Sequence, residues 1–179
     1  KSSSILSSNR LQGLCHLFQE RLKSMKIEPA KEEQLKELFE IHKLCFKTQI
    51  EEIWGWDEDW QWNYFNEEWN NSEWRILTEN ETIIGYLVWT MKPDHLYLQN
   101  ICFLPDHQGK GLGKSTMAYI EKLASDRSFP VKLSTFRTND RVLKFYQDLG
   151  YKITEKVETG SALTLVTGFA SNVSNRSRP

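Results

Sequence analysis

The apolar positions change their period along the chain, and each change marks an element. Residues 25–30, "MKIEPA", read as a short strand that ends at Pro29. From Lys31 to Phe46, Leu35, Leu38, Phe39, His42, Cys45 and Phe46 recur along one helical stripe. His42 lies within that stripe and reads as a packed histidine. The next segment, "IWGWDEDWQWNYFNEEWNNSEW", holds six of the seven tryptophans. Gly55 and Asp57 indicate a turn and a new helix with Asp57 as its N-cap, and Trp60, Tyr64 and Trp69 share a face of that helix. One short helix cannot bury so many rings, so some are expected to line a pocket or an interface. The pattern then becomes strand-like at 74–78, 82–91 and 96–104, with "TENET" and "KPDH" as turns. A helix is expected over 111–127 with Leu112, Tyr119, Ile120 and Leu123 facing inward. Pro130 breaks the chain before a strand at 131–136. A helix over 139–149 is closed by Gly150 at its C′ position. Residues 151–157 and 162–166 pair as a hairpin around Thr159-Gly160-Ser161. The order β-α-α-β-β-β-α-β-α-β-β places three antiparallel strands before a crossover helix and a parallel neighbour. That is an α+β (or α/β) layered domain with a mixed, mostly antiparallel central sheet flanked by helices.

The two ends differ from this middle. Residues 1–9 are serine-rich, and 171–179, "SNVSNRSRP", are of similar character. Leu11, Leu14, Cys15, Phe18 and Leu22 fall on one helical face. Residues 1–24 therefore read as an N-terminal extension, either a non-native addition ahead of a start at Met25 or a docking helix. The domain is expected over 25–168 and a flexible tail over 169–179. Hydrophobic residues at 39% and charged residues at 26% suit a globular core, and a net charge of -1 gives no strongly basic surface for nucleic acid. No apolar run reaches membrane-spanning length and no secretion signal is apparent. Cys15, Cys45 and Cys102 form no metal-binding spacing and read as reduced thiols of a cytoplasmic protein.

The candidate chemistry lies in "FLPDHQGKGLGKS", 103–115. A triphosphate P-loop would need a glycine at position 108, which holds Gln108. A dinucleotide fingerprint would need one at position 114, which holds Lys114. What remains is Q-x-x-G-x-G at Gln108, Gly111 and Gly113. The strand that ends at Leu104 passes Pro105 and enters a helix near Gly111. Free first-turn amides, the helix dipole and close backbone approach at glycine suit a pyrophosphate there, with Lys110 and Lys114 adding charge.

This stretch resembles the acyl-CoA-binding motif of the GCN5-related N-acetyltransferases, [RQ]-x-x-G-x-[GA]. "NDRVLKFYQDLGY", 139–151, is similar to the family's second motif through Asn139, Tyr146, Gly150 and Tyr151, with Val142 in place of the usual alanine. The resemblance covers about residues 25–168 and implies the acyl-CoA N-acyltransferase fold with acetyl-CoA as co-substrate and no metal. It implies that backbone groups of Ile101, Cys102 and Phe103 hold the pantetheine. The loop Gln108, Gly109, Lys110, Gly111, Leu112, Gly113 and Lys114 would hold the pyrophosphate, Asn139 would contact the CoA arm, and Tyr146 would stand near the sulfur. On that layout an amine attacks the thioester directly, the Phe103 N–H stabilises the oxyanion, and Tyr146 donates a proton to the leaving thiolate. Cys102 is not required as a nucleophile.

The general base is not evident. The fourth strand offers Gln99 and Asn100, which cannot take a proton, and Glu51, Glu52, Asp57 and Glu58 lie near the tryptophan segment. Trp54, Trp56, Asp57, Trp60 and Gln99 are the candidates for contact with the acceptor, since tryptophan faces attract ammonium groups. The expected acceptor is a small-molecule primary amine. A protein N-terminus or lysine is the alternative, and a non-catalytic acyl-CoA sensor is the alternative of another class. A tryptophan-rich surface, if exposed, favours a homodimer.

Overall fold

The computed structural model describes residues 25–156 and 162–166. The expected terminal segments 1–24 and 169–179, and the turn at 159–161, lie outside these residues. The described elements follow the expected order. They are β1 (Met25–Pro29), α1 (Leu35–Trp54, entered through a 3-10 turn at Glu32–Gln34), α2 (Glu58–Asn71), β2 (Glu73–Glu79), β3 (Thr82–Met91), β4 (Leu96–Phe103), α3 (Leu112–Ser125), β5 (Val131–Phe136), α4 (Asp140–Asp148), β6 (Lys152–Lys156) and β7 (Ala162–Val166). They group into two compact units. One takes in the described residues up to Thr90 with Gln99–Ala118, the other Met91–Leu98 with those from Tyr119 onward.

In the first unit β1 runs antiparallel to β2, with Met25 opposite Glu79, and β2 antiparallel to β3, with Glu73 opposite Trp89. Asn80 and Glu81 join β2 to β3, both at positive φ (51° and 65°). That is the signature of a type I′ turn, whose twist matches the strands it connects. β4 lies beside β3. Against these strands α1 and α2 pack their apolar stripes. Leu38, Phe39 and Ile41 of α1 and Phe65 of α2 form one cluster with Trp74, Ile76, Tyr86, Val88 and Cys102. Phe65, only 1% exposed, meets Phe39, Trp74 and Tyr86 edge-on. The pattern at 31–46 stops short of the observed helix. α1 continues to Trp54 because Ile50 extends the buried stripe, and it ends at Gly55 (φ 79°), whose N–H bonds to the Glu51 carbonyl at 3.1 Å.

His42 is the packed histidine that the stripe predicts. Its Nδ1 shares a hydrogen bond with the Tyr86 hydroxyl at 2.7 Å, and its ring lies among Phe39, Phe46 and Phe65. Burial lowers its pKa from 6.5 to about 4, which a hydrogen bond to Gln61 only partly opposes. The unfolded chain therefore binds a proton between about pH 6.5 and 4 that the folded chain refuses. This group adds no pH dependence above that window, and stability falls as the solution is acidified through it, by about 3 kcal/mol in all. The His42 imidazole resonance should titrate near pH 4. A midpoint near 6.5 would mean that the ring is solvated.

In the second unit the first residues of β4 pair in parallel with β5, from Leu96 opposite Val131 to Leu98 opposite Leu133. This is the parallel neighbour that the element order requires. β5 pairs antiparallel with β7, and β7 with β6. Asn139 caps α4, its Oδ1 accepting from the Val142 N–H at 3.1 Å. Gly150, at φ 92°, follows the helix, and its N–H reaches the Gln147 carbonyl at 2.9 Å. Tyr146 and Tyr151 are buried together with ring centroids 5.5 Å apart. Among the described residues no helix is long and apolar enough to cross a membrane, and no group of His, Cys, Asp or Glu could hold a metal ion.

Candidate active site

The end of β4 has a defined orientation. A Cβ on Gly85 would lie 2.1 Å from the Cys102 carbonyl oxygen, so that carbonyl faces β3. The Leu104 N–H bonds to the Ile84 carbonyl at 2.8 Å and faces the same way. Successive residues of a strand direct their peptide groups to opposite sides, so the N–H groups of Ile101 and Phe103 point away from β3. The Phe103 carbonyl, on that outward side, accepts from Gln108 Nε2 at 2.9 Å and from Cys45 Sγ at 3.3 Å. Gln108, expected among the phosphate ligands, thus has its side-chain amide bracing the end of β4. Burial pushes the Cys102 thiol well up, so it stays protonated and is a poor nucleophile.

Beyond Phe103 a 3-10 turn at Pro105–His107 leads into the glycine loop. Gly109 and Gly111 adopt φ of 71° and 76°, a region in which a Cβ is strained. α3 then begins at Leu112 with no acidic residue in its first turn. First-turn amides have no acceptor within their own helix, and the dipole is positive at that end. Lys110 donates to the Asp106 carbonyl, which holds its charge at the loop, and Lys114 is exposed beside it. The donor set fits a pyrophosphate: a helix N-terminus with no acid in its first turn, close access at two glycines and two cations. On the inner face of α3, Leu112, Thr116, Met117, Ile120 and Ala124 are buried. Tyr119 and Leu123, expected to point inward, are half-buried.

The first unit also holds a carboxylate that the sequence pattern does not single out. Glu68 of α2 is buried, with 9% exposure. Gln99 Nε2 donates to its Oε1 at 3.4 Å and Asn100 Nδ2 to its Oε2 at 3.3 Å. Tyr64, one turn earlier, is a further hydrogen-bond partner. Gln99 is itself fixed by the Thr90 hydroxyl, which donates to its Oε1 at 2.8 Å. Burial raises the Glu68 pKa above the usual carboxylate value, and its three hydrogen bonds oppose the shift. Gln61, Phe65 and Glu68 are the buried residues of α2 and follow helical spacing. That i, i+4, i+7 stripe is the signal in the sequence that could have found it.

The other candidates divide by environment. Trp60 is 58% exposed and stacks on Tyr64, with centroids 5.4 Å apart and planes 7° from parallel. Trp54 is also exposed. Trp56 is half-buried, its Nε1 donating to Glu58 at 2.7 Å and Lys47 lying over its ring. Asp57 caps α2, its Oδ1 accepting from the Trp60 N–H at 2.9 Å. Glu58 pairs with Lys43 at 2.7 Å, and Glu51 and Glu52 are exposed. Asn139 and Tyr146 belong to the second unit. Burial pushes the Tyr146 phenol well up, so it stays protonated and able to donate.

A layered α+β fold in which a strand runs through positive-φ glycines into a helix N-terminus defines a class of phosphate-cradling domains. The sequence profile of the Acetyltransferase (GNAT) family matches residues 35–151, and the chain belongs to that family. Its members are acyltransferases that use acetyl-CoA. An uncharacterized N-acetyltransferase of Bacillus subtilis (strain 168), YjcF, is 29% identical over 89 residues, which is 50% of this chain and 62% of that protein. The match thus spans less than two thirds of that relative's length. Among solved structures, the PaiA N-acetyltransferase of Thermoplasma acidophilum in complex with coenzyme A superposes with a TM-score of 0.67 at 18% identity, covering 82% of this chain and 99% of that one. Arabidopsis thaliana Naa50 in complex with a bisubstrate CoA–peptide analogue gives 0.61 at 14% identity, covering 82% and 99%. The family resemblance and the mixed α+β fold expected from the sequence are both borne out.

Proposed function

We propose that this protein transfers the acetyl group of acetyl-CoA to the primary amine of a small molecule. The observation that carries the proposal is the end of β4, where an outward-facing Phe103 N–H is followed by two positive-φ glycines and a helix N-terminus free of acids. Acetyl-CoA supplies an acyl carbon already activated as a thioester. The first-turn amides with Gly109, Gly111, Gly113, Lys110 and Lys114 hold the pyrophosphate. The backbone of Ile101, Cys102 and Phe103 aligns the pantetheine, and the Phe103 N–H donates to the oxygen on which negative charge develops. Gln108 keeps that amide in place by holding the carbonyl of the same residue. The exposed Trp60–Tyr64 stack favours a small cationic acceptor. Naa50, solved with a CoA–peptide analogue, superposes on this chain as well, so fold likeness does not by itself choose the acceptor.

The test is thiol release from acetyl-CoA in the presence of polyamines, arylalkylamines, aminoglycosides, amino acids and peptides. Turnover with a small amine is expected. Turnover with peptides alone would select the protein-acetylating reading, and acetyl-CoA binding without any turnover would select a sensor.

Tyr146 is proposed as the proton donor to the departing sulfur. Tyr146→Phe removes only the hydroxyl and keeps the ring packing against Phe145 and Tyr151. Because a thiol is a fairly good leaving group, kcat should fall by about 10²-fold, the low end for a general acid. Acetyl-CoA affinity and melting temperature should be unchanged. A Phe variant with the parent kcat would remove Tyr146 from the mechanism.

A further inference from the structure

Glu68 combines burial with an unusual set of partners. Two primary amides and a phenol donate to it, and among the described residues none of the groups acting on it is a cation. Buried carboxylates are ordinarily paired with a cation or made neutral. We propose that Glu68 is the receptor for the acceptor's ammonium group and takes its proton before attack, which makes the substrate class a protonated primary amine with an apolar or aromatic stem. This rests on the acetyltransferase reading and supplies the base that β4 lacks.

The placement fits. Gln99 and Asn100 hold the carboxylate and lead directly into Ile101–Phe103 on the same strand, so the two anchoring residues lie about 10–13 Å from Phe103 along β4. Adjacent strand residues normally point to opposite faces. Both nevertheless reach Glu68, and the burial alternation of β4 breaks at 99–101. Two successive side chains are thereby spent on orienting one carboxylate. Tyr64 bonds Glu68 and also carries Trp60 stacked on its ring, so an exposed aromatic pair adjoins the anion. An amine with its stem along those rings would direct its ammonium to Glu68.

The proton balance closes. Glu68 takes one proton from the ammonium, and the freed nitrogen lone pair forms the C–N bond. The C–S bond breaks with its electron pair going to sulfur. The thiolate takes the Tyr146 proton, the second amine proton replaces it on the phenol, and Glu68 returns its proton to solvent. Among the described residues the titratable groups facing Glu68 are Tyr64 on its own helix and Tyr86 on β3, and burial pushes the Tyr86 phenol well up so that it stays neutral. Burial holds the Glu68 pKa up, nearer that of a useful base.

Parent, Glu68→Gln and Glu68→Asp are compared by acetyl-CoA calorimetry, thermal melting and thiol release from mildly acid to mildly alkaline pH, with phenethylamine, spermidine and glycinamide as acceptors. Glu68→Gln should keep acetyl-CoA affinity and melting temperature. Its kcat/KM should fall by about 10²–10⁴-fold, and the acid limb of the parent profile should vanish. Glu68→Asp should restore part of the rate. A Gln variant that turns over at the parent rate, or one that loses affinity, stability and rate together, would overturn the proposal. If the parent binds acetyl-CoA but acetylates none of these amines, the small-amine reading fails, and Glu68 is judged by binding. Phenethylammonium should then quench the tryptophan emission of the parent and spare the Gln variant, while the neutral alcohol of the same skeleton quenches neither. Equal quenching in both proteins, or none in either, would refute the ammonium receptor.

Discussion

Gly111→Val should abolish measurable acetyl-CoA binding while leaving a folded protein. Gly111 sits at φ 76°, where a β-branched residue is strained, and it immediately precedes the first turn of α3. A valine there both twists the loop and stands between the amides and the pyrophosphate. Each charge-assisted hydrogen bond lost costs about 1.5–3 kcal/mol. Displacing two amides should thus weaken binding by at least ~100-fold. The strain itself is about 1–2 kcal/mol, a melting-temperature loss of only a few degrees. Calorimetry on the folded variant decides the matter. An unchanged Kd would mean that the pyrophosphate lies elsewhere.

Gly85→Ala should produce a larger loss of stability and a parallel loss of acetyl-CoA affinity. The added Cβ would stand 2.1 Å from the Cys102 oxygen and 3.0 Å from the Phe103 Cα, and both of these are backbone atoms that cannot swing aside. The end of β4 must move, and overpacking of this kind costs about 1–3 kcal/mol, occasionally more. A fall in melting temperature of roughly 5–10 °C is expected. The same movement re-aims the Phe103 N–H, so binding should weaken even where the variant remains folded. An alanine variant with the parent's melting curve and the parent's affinity would show that β3 and β4 do not approach so closely.

Local chemistry made much of this molecule legible in its sequence. Asp57 caps the helix it was expected to cap, and Gly150 follows α4 at positive φ, because each requirement is met within a few residues. The parallel step from β4 to β5 followed from element order alone. Part of what escaped depended on contacts distant in sequence. Glu68 meets partners 31 and 32 residues away, and the surrounding tryptophans obscured its stripe. Gln108 matched a motif, but its bond to the Phe103 carbonyl appears only when loop and strand are folded together. The inner face of α3 was read from its largest residues, whereas Thr116 fits inside because its hydroxyl bonds to the Leu112 carbonyl at 3.0 Å. The close approach at Gly85 is a property of two strands and could not be read from either one.

β4 carries both ends of the proposed chemistry on a single extended backbone. Its residues 99 and 100 grip the carboxylate, and three positions later Phe103 presents the amide. A strand barely stretches, so it works as a caliper with a fixed opening of about 10 Å between Asn100 and Phe103. The segment that completes the acceptor side, Trp54 to Ser72, attaches to that caliper from outside through Glu68. Exchanging α2 for another helix that returns an acid to Gln99 and Asn100 would alter which amines are accepted while leaving the acyl-transfer spacing untouched. Inserting one residue into β4 between Asn100 and Phe103 would do the reverse, keeping amine recognition and throwing the two reacting atoms out of reach.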